Sequence, residues 1–320
     1  MSDAKRVAVL KGGSSLERRV SLRSGAQVQD ALERRGHETI ALDVGPDFVA
    51  RLRAEKPDAA FVALHGGDGE DGTVQELLEA IGVPYTGSGP AACMRCADKV
   101  LAKHLMGEAG ISTADFRAFR EPSIKGLGAG AALADVGEWL GFPLVVKPAS
   151  QGSALGVKFA KDAEALPGSI VGAFSYSRKI LLERYVTGRD LAVSVLDSPT
   201  PGDRPMALPV VEAIPREEDF YNYESRYEIG MTTFVCPAEL DEAVTERAQA
   251  LAVEVYELLG CHGFARVDLM LEDGTERLWV LETNVVPGLT ETSLLPHAAD
   301  AAGIEFDQLI ERILASAWTR

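Results

Sequence analysis

From Arg6 to Gly82 the chain alternates short apolar runs with longer amphipathic ones, and this alternation constrains the fold more than any other feature. "RVAVL" reads as a strand, "SLRSGAQVQDALERRG" as a helix stopped by Gly36, and "HETIALDV" as a second strand; a further helical stretch leads to "AAFVALH", a third. Strands separated by whole helices have no hairpin to join them. They pair in parallel, with helices covering both faces of the sheet. "TVQELLEAIG" adds a helix with apolar residues at helical spacing and a glycine at its end. "VPYTGSGP" then breaks the pattern, so an N-terminal α/β domain is expected over residues 1–95.

Beyond it "ADKVLAKHLMGEAG" reads as a helix, followed by short strands around "DFRAF" and "FPLVVKPA". The glycine-rich "IKGLGAGAAL" between them is expected to be a loop linker, since it lacks a preceding phosphate-binding strand and a Lys-Ser or Lys-Thr ending. After residue 180 strands dominate ("ILLERYV", "RDLAVSVL", "ALPVVEAI", "TTFVCPA"), then a long helix, "ELDEAVTERAQALAVEVYELLG", a strand pair and two closing helices. An α/β front and a mixed α+β back imply a cleft between domains.

Composition narrows the function. With 46% hydrophobic and 25% charged residues the chain can bury the cores of two or three domains. A net charge of −16 argues against a general nucleic-acid binder, which needs clustered Lys and Arg to neutralise phosphates. The start "MSDAKRVAVLKGG" carries no apolar stretch with a small-residue cleavage site, and no window approaches the roughly 18 apolar residues of a membrane span, so a cytoplasmic, membrane-free protein is expected. Cys93, Cys96, Cys236 and Cys261 are too scattered for a disulfide framework. Cys93 and Cys96 form a lone CxxC without a second pair or histidines, and are expected to be buried or idle thiols.

Chemistry is concentrated in a few segments. "RVDLMLEDGTERLWVLETNVVPGLT" contains two apolar strand-like runs carrying Asp268, Glu282 and Asn284. Glu282 and Asn284 are two apart and share a strand face, while Asp268 lies across the "LEDGTER" hairpin, so all three can converge. A hard divalent cation such as Mg²⁺ would offset the cost of burying them; water-facing edge residues, or partners of Arg266, are the other readings. Lys147 ends an apolar strand just before the small-residue loop of Gly152, Ser153 and Gly156, which reads either as a phosphate-covering loop or as a surface turn. In "LLERYVTGRDLAVSVL", Glu183 and Asp190 flank a glycine turn and suit either nucleotide acceptors or the charged ends of a hairpin. "GDGEDG" satisfies GxGxxG, but Asp68, Glu70 and Asp71 would set negative charge beside a pyrophosphate, which disfavours a dinucleotide site. His65, just before it, is positioned to reach a small substrate or to cap the strand end.

Taken in order, "VAVLKGGSSLERRVSLRSG", "ALHGGDGEDGTVQELLEAIGVPYTGSG", "CADKVLAKHLM", "VVKPASQGSALGV", "LLERYVTGRDLAVSVL", "FYNYESRYEIGMTTFVCPA" and "GFARVDLMLEDGTERLWVLETNVVPGLTETSLLP" resemble the D-alanine:D-alanine ligase family of ATP-grasp enzymes over nearly the whole chain. The resemblance implies an N-terminal α/β domain (1–95), a central ATP-grasp subdomain (96–182) and a C-terminal ATP-grasp subdomain (183–320), with ATP between two sheets. It implies ATP-dependent joining of two D-alanines through an acyl phosphate for peptidoglycan precursor synthesis, with Mg²⁺, two ions expected and Mn²⁺ an alternative. A homodimer through the N-terminal domain is the family's frequent state.

Residue by residue, the resemblance places Lys99 and Lys147 at ATP phosphates and adenine surroundings, Glu183, Tyr185 and Val186 at the adenine, and Asp190 at the ribose. Phe220 and Leu281 would sandwich the base, Arg226 would add charge near the nucleotide, and Asp268, Glu282 and Asn284 would hold the metal. Glu17 would receive the first D-alanine's ammonium, fastened to Ser153 and Tyr227. Arg266 would stabilise the acyl phosphate and oxyanion. Gly288 joins these catalytic positions, and His65, Ser293 and Leu294 the substrate positions, the last two with a helix N-terminus suited to a carboxylate. "YNYESRYEIGMT" is the expected lid.

Departures from the family pattern are Arg19-Val20-Ser21 where Glu-Val-Ser is common, Ala154 after Ser153 where serines are paired, Arg226 where lysine is common, and "NVVPG" with Val285 and Val286 where hydroxyls are common. An ATP-grasp ligase joining other amino acids or a D-hydroxy acid would share every nucleotide residue. Tyr227 resembles the dipeptide-forming members.

Overall fold

In the computed structural model, residues 4–200, 202–215 and 232–319 are described. The first sheet is parallel, in the order β2–β1–β3, with β1 Arg6–Lys11, β2 Glu38–Asp43 and β3 Ala59–Val62. Val7 to Leu10 are wholly buried, as a central strand covered on both faces must be. Helix α1 (Arg18–Arg34) buries Val20, Ser24, Val28 and Ala31, near the three-to-four-residue spacing of one helical face. Helices α2 (Phe48–Glu55) and α3 (Thr73–Ile81) follow, α3 ending at Gly82 in the left-handed conformation that glycine tolerates. The parallel layer expected from the alternation is present.

Helix α4 (Pro90–Ala97) is separated from α5 (Lys99–Glu108) by Asp98, whose extended backbone starts the new helix. Its carboxylate accepts from the backbone N–H of Val100 at 3.0 Å and of Leu101 at 3.2 Å. This cap fixes Lys99 at the first turn of α5. Cys93 and Cys96 lie buried on α4, with Cys96 Sγ 3.8 Å from Cys261 Sγ, as expected of core thiols.

The second sheet is antiparallel, ordered β4–β7–β5–β6, from β4 Phe116–Arg120, β5 Leu144–Pro148, β6 Lys158–Ala160 and β7 Lys179–Arg184. The glycine-rich run is not the open linker expected. Its first residues belong to α6 (Glu121–Gly126), a 3₁₀ turn covers Ala129–Ala132, and its last residue opens α7 (Leu133–Leu140). Pro122 suits the start of α6, where no N–H is needed, and burial of Val136 and Leu140 against β5 and β7 holds α7. Helix α8 (Leu166–Phe174) covers the same face, so this sheet has a core of its own.

The third sheet runs β11–β10–β8–β12–β13, with β9 beside β8: β8 Gly188–Leu196, β9 Met206–Ala207, β10 Val211–Pro215, β11 Thr232–Val235, β12 Phe264–Glu272 and β13 Leu278–Asn284. Helix α9 (Glu242–Leu259) packs on it, and α10 (Leu294–Ala301) and α11 (Phe306–Ala315) close the chain. Helix α11 returns to α1, where Arg34 pairs with Asp307 at 2.6 Å and His37 Nε2 lies 2.7 Å from Glu311. The first and third sheets thereby share one continuous core. No helix among the described residues is long and apolar enough to cross a membrane.

Candidate active site

Between the second and third sheets lies a cavity of about 370 Å³. Lys147 from β5, Phe159 from β6, Glu183 from β7, Tyr185 and Val186 just beyond it, Asp190 from β8 and Leu281 and Glu282 from β13 all line it. Phe159 and Tyr185 meet edge to face at 5.4 Å between ring centroids, forming an aromatic wall. Of the nucleotide positions expected from sequence, Lys99, Lys147, Glu183, Tyr185, Val186, Asp190 and Leu281 are brought together here. Phe220 and Arg226 lie outside the described residues, as do Tyr227 and the expected lid except its Thr232.

Glu183 is buried and bonded through both oxygens: Oε1 to Lys103 Nζ at 2.5 Å and Oε2 to Lys147 Nζ. Burial alone would raise this carboxyl, but the two ammonium groups outweigh it and hold it below the usual range. Lys103 also donates to Thr113 Oγ1, whose hydroxyl reaches Val280 O at 2.9 Å. Sequence reasoning passed over Lys103, although its place four residues after Lys99 puts both lysines on one helix face.

Lys99 Nζ donates to Gln151 O at 2.8 Å and pairs with Glu282 at 3.0 Å. On the neighbouring strand Arg266 binds Asp268 in fork geometry, at 2.6 and 2.8 Å, and Asn284 Nδ2 lies 3.2 Å from the same carboxylate. Asp268 stands opposite Glu282 and Arg266 opposite Asn284, so the hairpin gathers the three residues singled out in the sequence. The register then slips by one residue, leaving Leu281 opposite no partner. This bulge explains how consecutive residues, Leu281 and Glu282, both line one cavity, which a regular strand forbids. Two carboxylates and an amide offer only oxygen donors, the set a hard cation such as Mg²⁺ takes, so these residues fit the ion.

A second, smaller cavity of about 30 Å³ adjoins the first, with Leu294 lining both. It is lined by Glu17, His65, Ser153, Arg266, Gly288 and Ser293, all expected catalytic or substrate positions. Glu17, just before α1, accepts the Ser153 hydroxyl across a sequence separation of 136 residues. The fit is close: a Cβ on Gly152 would stand 2.8 Å, and one on Gly66 2.4 Å, from Glu17 Oε2. Gly66 also has φ +68°, so both space and backbone require glycine there. Ser293 precedes α10 without capping it; its Oγ instead takes the Thr290 N–H at 3.0 Å, leaving the first-turn N–H groups for an anion.

His65 is buried, with Nδ1 3.0 Å from Val286 O and Nε2 2.8 Å from Ser24 Oγ. Burial, with the Arg266 charge adding to it against the Val286 bond, lowers its pKa to about 4, so the ring is neutral. Glu70 also lines this cavity. In the sequence it figured only as a charge against a dinucleotide; of the "GDGEDG" residues it alone lines this cavity, and none of them lines the nucleotide-sized one.

The family described as "D-ala D-ala ligase C-terminus" matches residues 105–315, and "D-ala D-ala ligase N-terminus" matches residues 47–88. The chain is 42% identical over 316 residues to a D-alanine–D-alanine ligase of Syntrophotalea carbinolica, covering 99% of this chain and 97% of that one. It is similar to the crystal structure of D-alanine–D-alanine ligase from Bacillus anthracis, at TM-score 0.83 and 33% identity over 98% of this chain and 97% of that one. The same enzyme complexed with ATP gives TM-score 0.80 at 32% identity, with the same coverage of both chains.

Proposed function

Since this chain belongs to the D-alanine–D-alanine ligase family, we infer that it joins two D-alanine molecules to D-alanyl-D-alanine at the expense of ATP, through an acyl phosphate, for peptidoglycan precursors. The observation that carries the reading is the pair of adjoining cavities, one nucleotide-sized between two sheets and one small and polar, meeting at the Asp268–Glu282 hairpin.

ATP lies in the larger cavity, its base near Tyr185, Val186 and Leu281 and its ribose near Asp190. Lys99 and Lys147 meet its phosphates. Glu183, with both oxygens on lysines, acts by holding Lys147 toward the nucleotide. When bound to Asp268, Glu282 and Asn284, Mg²⁺ would draw charge from the phosphates and leave the transfer to positioning. Glu17, fastened to Ser153, receives the ammonium of the first D-alanine, whose carboxylate oxygen attacks the γ-phosphorus as ADP departs. The second D-alanine sets its carboxylate at Ser293, Leu294 and the N-terminus of α10, and its amine attacks the acyl carbon as phosphate leaves. Arg266, held in place by Asp268, faces the oxyanion, and Gly288 lets Ser293 approach, since a Cβ there would stand 2.5 Å from Ser293 Oγ. The same reading assigns Phe220 and Arg226 to the nucleotide and Tyr227 to the Glu17–Ser153 pair.

The division into residues 1–95, 96–182 and 183–320, a homodimer through the first of these, and work in the cytoplasm, where ATP is made, belong to the same reading. The test is to mix purified protein, ATP and Mg²⁺ with D-alanine, L-alanine, D-serine or D-lactate, and to measure phosphate release and product mass. Phosphate and the dipeptide mass with D-alanine alone are expected. Product only with another nucleophile beside D-alanine would move the second substrate to that molecule, and phosphate release with none of them would overturn the ligase.

A further inference from the structure

Two amino acids meet in the smaller cavity, each arriving as a zwitterion. Given the ligase reading, the second ammonium must lose a proton before its nitrogen can attack, and that proton needs an acceptor. Among the described residues, four titratable side chains line the cavity: Glu17, His65, Glu70 and Arg266. Three have other tasks. Glu17 takes the Ser153 hydroxyl and is assigned to the first ammonium. Arg266 stays protonated at any working pH and grips Asp268. His65 faces a carbonyl at Nδ1, which can only accept, so Nδ1 carries the proton and Nε2 uses its lone pair to accept the Ser24 hydroxyl. A ring held in this way has no lone pair left for a substrate proton.

Glu70 remains. It accepts the backbone N–H of Gly66, and its Oε1 lies 4.0 Å from His65 Nδ1. The same Gly66 abuts Glu17 Oε2, so the two carboxyls flank one residue and face one cavity. Two ammonium groups thus meet two carboxyls, with Arg266 on the same cavity wall for the negative charge of the acyl phosphate. We propose that Glu70 binds the ammonium of the second D-alanine and accepts its proton as the amine attacks.

The step balances. One proton passes from the ammonium to the Glu70 carboxylate, and the freed nitrogen pair forms the C–N bond to the acyl carbon. The bond from that carbon to the phosphate oxygen breaks, with its electrons going to the departing phosphate, which takes the second N–H proton as the amide forms. Burial and the Glu17 charge, with Glu282 adding to them and the Gly66 N–H and Lys99 opposing, place Glu70 at about 8, close to what a base working on an ammonium near neutrality requires.

Glu70→Gln and Glu70→Asp test this in single-turnover and steady-state assays with D-alanine, ATP and Mg²⁺. For Glu70→Gln, ADP formation in the first turnover should stay within about threefold of wild type while dipeptide formation falls roughly 100-fold, in the range of a lost general base. The KM for the second D-alanine should rise, and the ascending limb of the kcat–pH profile should disappear. Glu70→Asp keeps a carboxyl and should recover at least about tenfold over Gln, with that limb present but shifted. Dipeptide formation by Glu70→Gln within about threefold of wild type would overturn the proposal, as would equal loss of ADP and dipeptide, or equal loss in both variants. Absence of dipeptide from the wild-type protein would instead overturn the ligase reading.

Discussion

Glu183 stands near the end of β7 with one oxygen on Lys103 and the other on Lys147, and its side chain is only 2% exposed. Neutralising it leaves Lys103, itself 1% exposed, as a buried cation without its counter-charge. Removing one partner of a buried pair typically costs about 3–5 kcal/mol, because the other charge stays desolvated. Glu183→Gln is therefore expected to lower the urea midpoint by a corresponding amount and to raise the KM for ATP several-fold; a variant as stable as wild type would show that the lysines find water. The sequence suggested an acceptor at Glu183 but not that its oxygens would be occupied, because Lys103 is 80 residues away and only the packing of α5 on the sheet reveals the pairing. Asp197 is a second anchor: Tyr256 Oη donates at 2.7 Å and Gly263 N at 2.6 Å, and His262 Nδ1 lies at 3.0 Å. Burial alone would raise this carboxyl, but bonds from His262, Tyr256 and Gly263 outweigh it and hold it below the ordinary range. A depressed folded value gives stability that is complete above the unfolded value near ~3.9 and is lost as pH falls through the folded value. Denaturation from pH 7 to pH 2 should show this acid loss in wild type and a flatter curve for Asp197→Asn, already weaker at pH 7 by roughly 1.5–3 kcal/mol.

At the scale of elements, the β12–β13 hairpin makes the site. Its alternation placed Glu282 and Asn284 on one face from sequence alone, and the cross-strand partners Asp268 and Arg266 follow once the hairpin is drawn. The bulge at Leu281 was not legible, since one unpaired residue leaves the hydrophobic pattern of "LWVLETN" nearly unchanged while turning two neighbours toward the same cavity. Helices α6 to α8 show the opposite failure. The glycines of "IKGLGAGAAL" signal a loop, yet helices take up both its ends; in α8 likewise Pro167 falls in the first turn, where proline costs nothing, and Ile170 and Ala173 are drawn onto the sheet. Tertiary burial overrides weak propensity there. The hairpin carries its own prediction. Glu282→Gln removes one of the two carboxylates proposed to hold Mg²⁺ and loosens Lys99, so half-maximal activity should need at least about tenfold more Mg²⁺, with ATP affinity measured at saturating Mg²⁺ changed far less. An unchanged Mg²⁺ requirement would remove Glu282 from the metal site.

Across the whole molecule the cores divide unevenly. The first and third sheets are joined in one core by α1, α9 and α11, while the second sheet, from Phe116 to Arg184, packs around Leu144, Val146, Ile180 and Leu182 in a smaller core of its own. A body with fewer shared apolar contacts can open without unfolding the rest, at a free energy below the global value. The nucleotide cavity lies across that seam, with Lys147 on one side and Asp268 and Glu282 on the other. Bound nucleotide therefore ties the smaller body to the larger, and a ligand at about 100 times its Kd stabilises the bound state by ~2.7 kcal/mol. Amide hydrogen exchange measures this directly. Without nucleotide, β4, β5 and β7 should exchange faster than β1, β8 and β12. With Mg²⁺ and a non-hydrolysable ATP analogue, protection should rise most in β5 and β7 and in the β12–β13 hairpin, and least in β2, which is remote from the seam. A uniform rise over all three sheets would mean that the molecule opens only as a whole, and the second sheet would then lose its standing as a separately moving jaw.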